Sequence, residues 1–245
     1  MLIATILPTK YLDLEDESRY HLALAHQIDK DLTYAYFFLR QSKRGAFVMM
    51  DNGAAEYGVP MDIDMLISAA DLIDCQEMVL PDFIHDYRAT LNKSWYAMQH
   101  IRKKNKSIGL MGVPHGETVN EWISCAKEML EWDINTIGIS KFIVPTPFQS
   151  RLEAIMSVPG LIESNKDIHL LGYTNIIDIL DIKKALLDRI RGIDSSIPTL
   201  FAQIGKLIDG GRPDIKLDLD AVVDRGLLER NVSVWKASCE TSTWS

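Results

Sequence analysis

The sequence predicts a single-domain (β/α)8 TIM barrel over residues 1–245, and three observations predict it. Short apolar runs of strand character alternate with longer runs of helical periodicity. Such alternation implies parallel strands, because each parallel return needs a crossover. The chain length of 245 residues is close to the roughly 250 that an α/β barrel takes, and it leaves little room for a second domain.

The units follow in order. Leu2–Leu7 is the first strand, and residues 18–40 carry apolar positions at helical spacing, among them Leu22, Ala25, Ile28 and Leu32. Phe47–Met50 is the second strand with a helix over 61–74, and Glu77–Leu80 the third with a helix over about 86–104. Ile108–Val113 and Thr136–Ser140 are the fourth and fifth, with helices over 117–131 and 148–157. Ile168–Gly172 is the sixth, Ile176–Leu187 its helix, and Arg189–Ile193 the seventh. Beyond residue 195 stand a helix candidate at 219–230 and a possible strand at Val232–Trp235, and the eighth strand is left unplaced. Gly210-Gly211-Arg212-Pro213 marks a loop rather than a domain boundary.

Composition narrows the function classes. With 47% hydrophobic and 24% charged residues, the chain suits one globular core. No apolar run reaches the roughly 18 residues of a membrane span, and the N-terminal segment reads as a strand rather than a signal peptide. No membrane partner is expected. Cys75, Cys125 and Cys239 are odd in number and widely spaced, which fits a reducing cytoplasm and offers no paired metal motif. The net charge of −8 argues against a broad basic surface for nucleic acid, but leaves room for a local basic rim around an acidic pocket.

Chemistry in a barrel gathers on the loops after the strands. Here those loops carry Asp51-Asn52-Gly53-Ala54-Ala55-Glu56-Tyr57-Gly58, Pro81-Asp82-Phe83, Pro114-His115-Gly116, Ser140-Lys141-Phe142, Gly172-Tyr173-Thr174-Asn175 and Asp194-Ser195-Ser196-Ile197-Pro198-Thr199. Any one aspartate there reads equally as the N-cap of the next helix. Three aspartates aimed at one mouth point to a site, where mutual repulsion can raise one pKa and make an acid of it. His115 by itself reads as structural. Gly53, Gly116 and Gly172 are either turn glycines or places where backbone approaches a flat ligand. Paired carboxylates suit displacement at a sugar carbon, in a glycoside hydrolase or a base-exchanging transglycosylase alike. The absence of a histidine pair at ligand spacing counts against a metal-dependent hydrolase.

These loop segments resemble, in order, those of the tRNA-guanine transglycosylase superfamily. Asp194-Ser195-Ser196-Ile197-Pro198-Thr199 is similar to its D-C-V-L-P-T segment, whose Asp is the nucleophile, and Asp51-Asn52-Gly53-Ala54-Ala55-Glu56 to D-S-G-G-[FY]-Q, whose Asp is the general acid/base. Pro81-Asp82 falls where the family has a base-reading Asp, and Val113-Pro114-His115-Gly116 where it has V-Q-G-G. Gly138-Ile139-Ser140 resembles G-G-L-[AS]-V-G, and Leu171-Gly172-Tyr173 resembles L-M-G-V-G. The resemblance implies that Asp194 is nucleophile and Asp51 acid/base, that Asp82 bonds the base edge, and that His115, Gly116, Ile139, Leu171 and Gly172 line the base pocket.

The departures refine that expectation. The family's C-x-C-x-x-C zinc motif is absent, so no structural zinc and no cofactor is expected. Ala55 replaces the aromatic that stacks on the base, and Tyr57 is expected to take its place. The chain is shorter than the tRNA enzymes and resembles most the compact phage-type branch, which inserts 7-deazaguanines into DNA. The implied partners are DNA, with tRNA as the alternative, and a free 7-deazaguanine such as preQ0, in a host cytoplasm. Lys10, Lys141, Arg151 and Arg212 are the candidate phosphate contacts. Hydrolysis of a 7-deazaguanine nucleoside and a silent base-binding subunit are the rival readings; the presence of both Asp51 and Asp194 argues against the second.

Overall fold

A computed structural model describes residues 1–104, 107–172, 176–209 and 211–240. The chain begins with strand β1 (Leu2–Thr5), a 3-10 turn, β2 (Tyr20–Leu24) and helices α1 (Ala25–Lys30) and α2 (Leu32–Lys43). It continues with β3 (Phe47–Asp51), α3 (Ala54–Tyr57), α4 (Ile63–Ile73), β4 (Glu77–Val79), α5 (Tyr87–Lys103), β5 (Gly109–Gly112) and α6 (Val119–Leu130). Then come β6 (Thr136–Ser140), α7 (Arg151–Met156), α8 (Pro159–Glu163), β7 (Asp167–Leu171) and α9 (Ile176–Leu186). The last elements are β8 (Ile190–Ser195), α10 (Ile197–Gln203) and α11 (Arg225–Glu240).

All strand pairs are parallel, and the eight-stranded order β1-β8-β7-β6-β5-β4-β3-β2 brings β1 and β2 side by side. The result is a nearly closed barrel ringed by helices, as the alternation predicted. The missing strand lies near the start of the chain, not at its end. Tyr20–Leu24 is β2, buried at every position. It runs into α1 without a glycine or proline between them, so Leu22, Ala25 and Ile28 line up at helical spacing across a strand–helix junction. A strand buried on both faces shows no alternation to betray it. The expected strand at Val232–Trp235 is instead part of α11, where Val232 and Trp235 are buried at i, i+3 and Val234 is exposed. The expected helix at 219–230 starts only at Arg225.

Alternation along each strand decides what faces the barrel axis. Tyr20, Leu22 and Leu24 of β2, Phe47, Met49 and Asp51 of β3, and Thr136, Gly138 and Ser140 of β6 share the inner face. This follows from contacts within the barrel interior, such as Tyr20 with its neighbour Phe47 and with His169 across the barrel, and Thr136 with Glu77. Ile137 and Ile139 face the helices and are fully buried there. Between β7 and β8 the register slips: Ile168 pairs Ile190, whereas His169 pairs Gly192. Arg191 is the extra residue of this bulge, which re-aims its side chain.

Candidate active site

A cavity of about 340 Å³ opens at the C-terminal end of the barrel, within the roughly 300–1,000 Å³ usual for small-ligand sites. Leu22, Leu24, Val79 and Val113 give it apolar walls, and Asp51, Asp82 and Asp194 all line it. None of these three aspartates caps a long helix by its side chain. The caps are Asp31 for α2, Asp62 for α4, Asp86 for α5, Thr118 for α6 and Ser150 for α7. The capping reading of the aspartates is therefore set aside, and their carboxylates are left for the cavity.

On one wall, Asp51 ends β3 and accepts a hydrogen bond from Gly53 N at 2.9 Å. Burial pushes its carboxyl well above the ordinary carboxylate range, the negative charge of Glu56 adds to the rise, and Asp82 adds less. Glu56 is exposed at the mouth but has its carboxyl turned among the loop atoms, and desolvation there raises its pKa too, with Lys141 pulling the other way. Two carboxyls that cannot both ionise cheaply hold a proton between them. Beside them Asn52 donates to Leu80 O at 2.7 Å and to Asp82 Oδ1 at 2.5 Å, while its own Oδ1 accepts from Ala54 N at 2.8 Å. His115 Nε2 faces Asp82 Oδ2 at 2.6 Å. Asp82 is thereby fixed by a donor on each oxygen.

The opposite wall is built differently. Asp194, 2% exposed, accepts from His169 Nε2 at 3.0 Å and from Gly172 N at 3.1 Å to each oxygen. Gly172 adopts φ +64°, and a Cβ there would come within 2.8 Å of the Lys141 side chain. Only glycine both turns this way and lets Lys141 lie across the backbone toward the cavity. Burial and the nearby Arg212 lower the Lys141 pKa, while Asp194 and Glu56 oppose the shift. The mouth is covered by the loop after α10, whose Arg212, Ile215, Lys216 and Leu217 reach the cavity. Thr9 N bonds Leu219 O at 3.0 Å, and Tyr11 Oη donates to Val223 O at 2.6 Å, tying that loop to the turn after β1.

The structure thus gathers Asp51, Asp82, Leu171, Gly172, Asp194, Lys141 and Arg212 around one cavity. Other predicted positions lie elsewhere. His115 is fully buried behind Asp82 and holds it rather than lining the cavity. Gly116 packs on α6, where a Cβ would come within 2.6 Å of Trp122 N. Ile139 has the wrong parity and faces the helices. Tyr57 is half exposed; its hydroxyl accepts from Lys30 Nζ at 2.9 Å and its ring meets His26 edge-on, outside the cavity lining. Arg151 is buried, donating to Leu171 O at 2.9 Å, so it braces strand ends instead of meeting solvent. Lys10 is exposed on the turn after β1, outside the cavity lining. Tyr173 lies outside the described residues.

Sequence reasoning passed over Asn52, Glu56, Lys216 and His169. A signal existed for the last: a histidine inside the apolar run Ile168–Leu171 is a polar group in a doubly buried strand, which must be paired. Among the described residues no group of His, Cys, Asp or Glu is arranged to hold a metal, and burial pushes the thiols of Cys75, Cys125 and Cys239 each up to about 12. These residues do not fit a structural zinc. No described helix is long and apolar enough to cross a membrane. No family model matches the chain, and no curated protein matches it.

Proposed function

We propose that the chain is a base-exchange transglycosylase that replaces guanine in DNA with a 7-deazaguanine such as preQ0. The observation that carries this reading is the pairing, in one cavity, of two carboxyls in opposite environments. Asp194 is offered N–H donors by His169 and Gly172, which suits an ionised nucleophile; Asp51 is desolvated beside Glu56, which suits a proton carrier.

In the proposed reaction Asp194 attacks C1′ of a deoxyguanosine and forms a glycosyl-enzyme ester. The C1′–N9 bond breaks, and guanine leaves carrying a proton from Asp51. The incoming base gives a proton back to Asp51 and displaces Asp194. Two inversions give net retention. Asp82, held by Asn52 and His115, is positioned to accept from a base edge. Lys141, Arg212 and Lys216 form a cationic rim at an otherwise acidic mouth, suited to backbone phosphates. The target nucleotide must be unpaired or flipped out to reach the cavity.

Incubation with labelled preQ0 and either DNA or tRNA tests the reading. Label entering DNA supports it, and label entering only tRNA moves the substrate to the other polymer. Guanine released without incorporation makes the enzyme a hydrolase. Neither adduct nor exchange with either polymer sinks the enzyme reading.

A further inference from the structure

Behind Asp194 a line of buried polar groups crosses the barrel interior. His169 Nδ1 lies 2.8 Å from Tyr20 Oη, and Tyr20 Oη lies 3.1 Å from Arg191 Nε. Arg191 in turn meets Glu77 through both terminal nitrogens and donates to Thr136 Oγ1 at 2.8 Å. The strands contributing these groups, β2, β4, β6, β7 and β8, lie all round the barrel. Two features of β8 make the line possible. The bulge admits Arg191 to the interior, and Gly192 leaves space for the Tyr20 ring, since a Cβ there would fall 2.6–2.8 Å from its outer atoms.

The chemistry of the end members fixes the direction of every bond. A guanidinium has only donors, so Tyr20 Oη accepts from Arg191 Nε. The one hydroxyl proton of Tyr20 is then free to donate to His169 Nδ1. Burial makes loss of that proton unfavourable. His169 Nδ1 is therefore the bare nitrogen, and Nε2 carries the proton that Asp194 Oδ1 accepts. A doubly protonated ring would send a second donor at Tyr20 and leave the phenol proton with no acceptor.

We propose that Arg191, Tyr20 and His169 form a one-way hydrogen-bond relay that locks His169 as its Nε2–H tautomer and so orients the Asp194 carboxylate toward the cavity. His169 and Tyr20 are positioning residues, acting on the reaction only through Asp194. Arg191 is the anchor that polarises the line, and its Glu77 partner holds its plane. The consequence for catalysis rests on Asp194 being the nucleophile; the tautomer does not.

The test reads the tautomer directly. Two-bond nitrogen–proton spectra of protein labelled in its histidines, with His169 assigned through its backbone, should show one neutral ring protonated at Nε2. An Nδ1–H ring or an imidazolium in the wild type at neutral pH overturns the relay, and this measurement needs no variant to fold. In Tyr20→Phe, shown to fold by circular dichroism, His169 should become a mixture of tautomers; an unchanged spectrum also overturns it. In the exchange assay Tyr20→Phe should slow adduct formation about ten- to a hundredfold with KM unchanged. His169→Gln, whose amide can still donate to Asp194, should retain more activity than His169→Leu; equal losses count against the positioning role. A wild type with the expected tautomer and no exchange fails the proposed function and leaves the relay standing.

Discussion

The two walls of the cavity carry the same functional group and treat it in opposite ways. On the β7–β8 wall, Asp194 meets donors: a backbone N–H and an imidazole, the latter backed by a tyrosine and an arginine. On the β3–β4 wall, Asp51 meets carboxyls: Glu56 within its own loop and Asp82 beyond it. One wall fixes its carboxyl with N–H donors, and the other desolvates its carboxyl beside like charges. The residue type alone distinguishes neither carboxyl; the proposed roles rest on their surroundings.

Removing the proposed nucleophile is the harshest break of that contrast. Asp194→Asn should abolish the covalent adduct and lower exchange at least about ten-thousandfold, since a lost nucleophile leaves only binding and positioning. Asp51→Asn should cost about a hundred- to ten-thousandfold, the range of general acid/base catalysis, and part of the loss should return with a glycoside whose leaving group needs no proton. The same variant tests the wall by stability. A carboxyl whose folded pKa lies above its unfolded one stabilises the fold at low pH and loses that contribution as pH rises through the folded value. The Asp51→Asn melting temperature should therefore exceed wild type near about pH 8 and match it near about pH 4. A lower melting temperature at the higher pH would mean that Asp51 is not strained by its neighbours.

Glu56→Gln sharpens the comparison without removing either principal carboxyl. It takes a negative charge away from Asp51, so the Asp51 pKa should fall toward the ordinary range. Since the protonated acid is needed to expel the leaving base, activity falls on the alkaline side as Asp51 ionises, and that limb should move to lower pH in the variant. A limb that stays in place would show that Glu56 does not share the proton.

The contrast between the walls was only partly visible in the sequence. The barrel could be read because six of its later strands are short runs of strand character separated by segments of helical periodicity. The aspartates could be read because they stand where those runs end. The β2 strand could not, since Tyr20–Leu24 joins α1 without punctuation and its apolar residues fall into helical step. The inward or outward aim of single residues was also hidden: Ile139 sits within a motif-like segment but has outward parity, and Arg191 points inward only because a bulge shifts the register. The donors that hold Asp194 come from the preceding strand β7 and the glycine that follows it, and cross-barrel pairs such as Tyr20 with His169 leave no local pattern.

Lys141 lies between the two walls and gives the finest test. Of the four cations expected to meet phosphate, Arg151 is spent on strand carbonyls and Lys10 stands outside the cavity, which leaves Lys141 and Arg212 at the mouth. Lys141 feels both Asp194 and Glu56, yet burial and Arg212 still lower its pKa. If its role is to bind the polymer, Lys141→Gln removes an interaction that ground state and transition state share. KM should then rise with kcat unchanged, and the salt dependence of binding should flatten by about one unit of log–log slope, the signature of one phosphate contact. If instead kcat falls while KM and the salt slope hold, the charge of Lys141 serves the carboxyls, and its removal should also shift the alkaline limb set by Asp51 to lower pH, because Glu56, without the cation that pulls it toward ionisation, carries less negative charge beside Asp51. That shift would have the same sign as the one expected for Glu56→Gln, and in the double variant the two should not add if Lys141 acts through Glu56, so the salt slope and the limb together separate a phosphate rim from a third member of the acid wall.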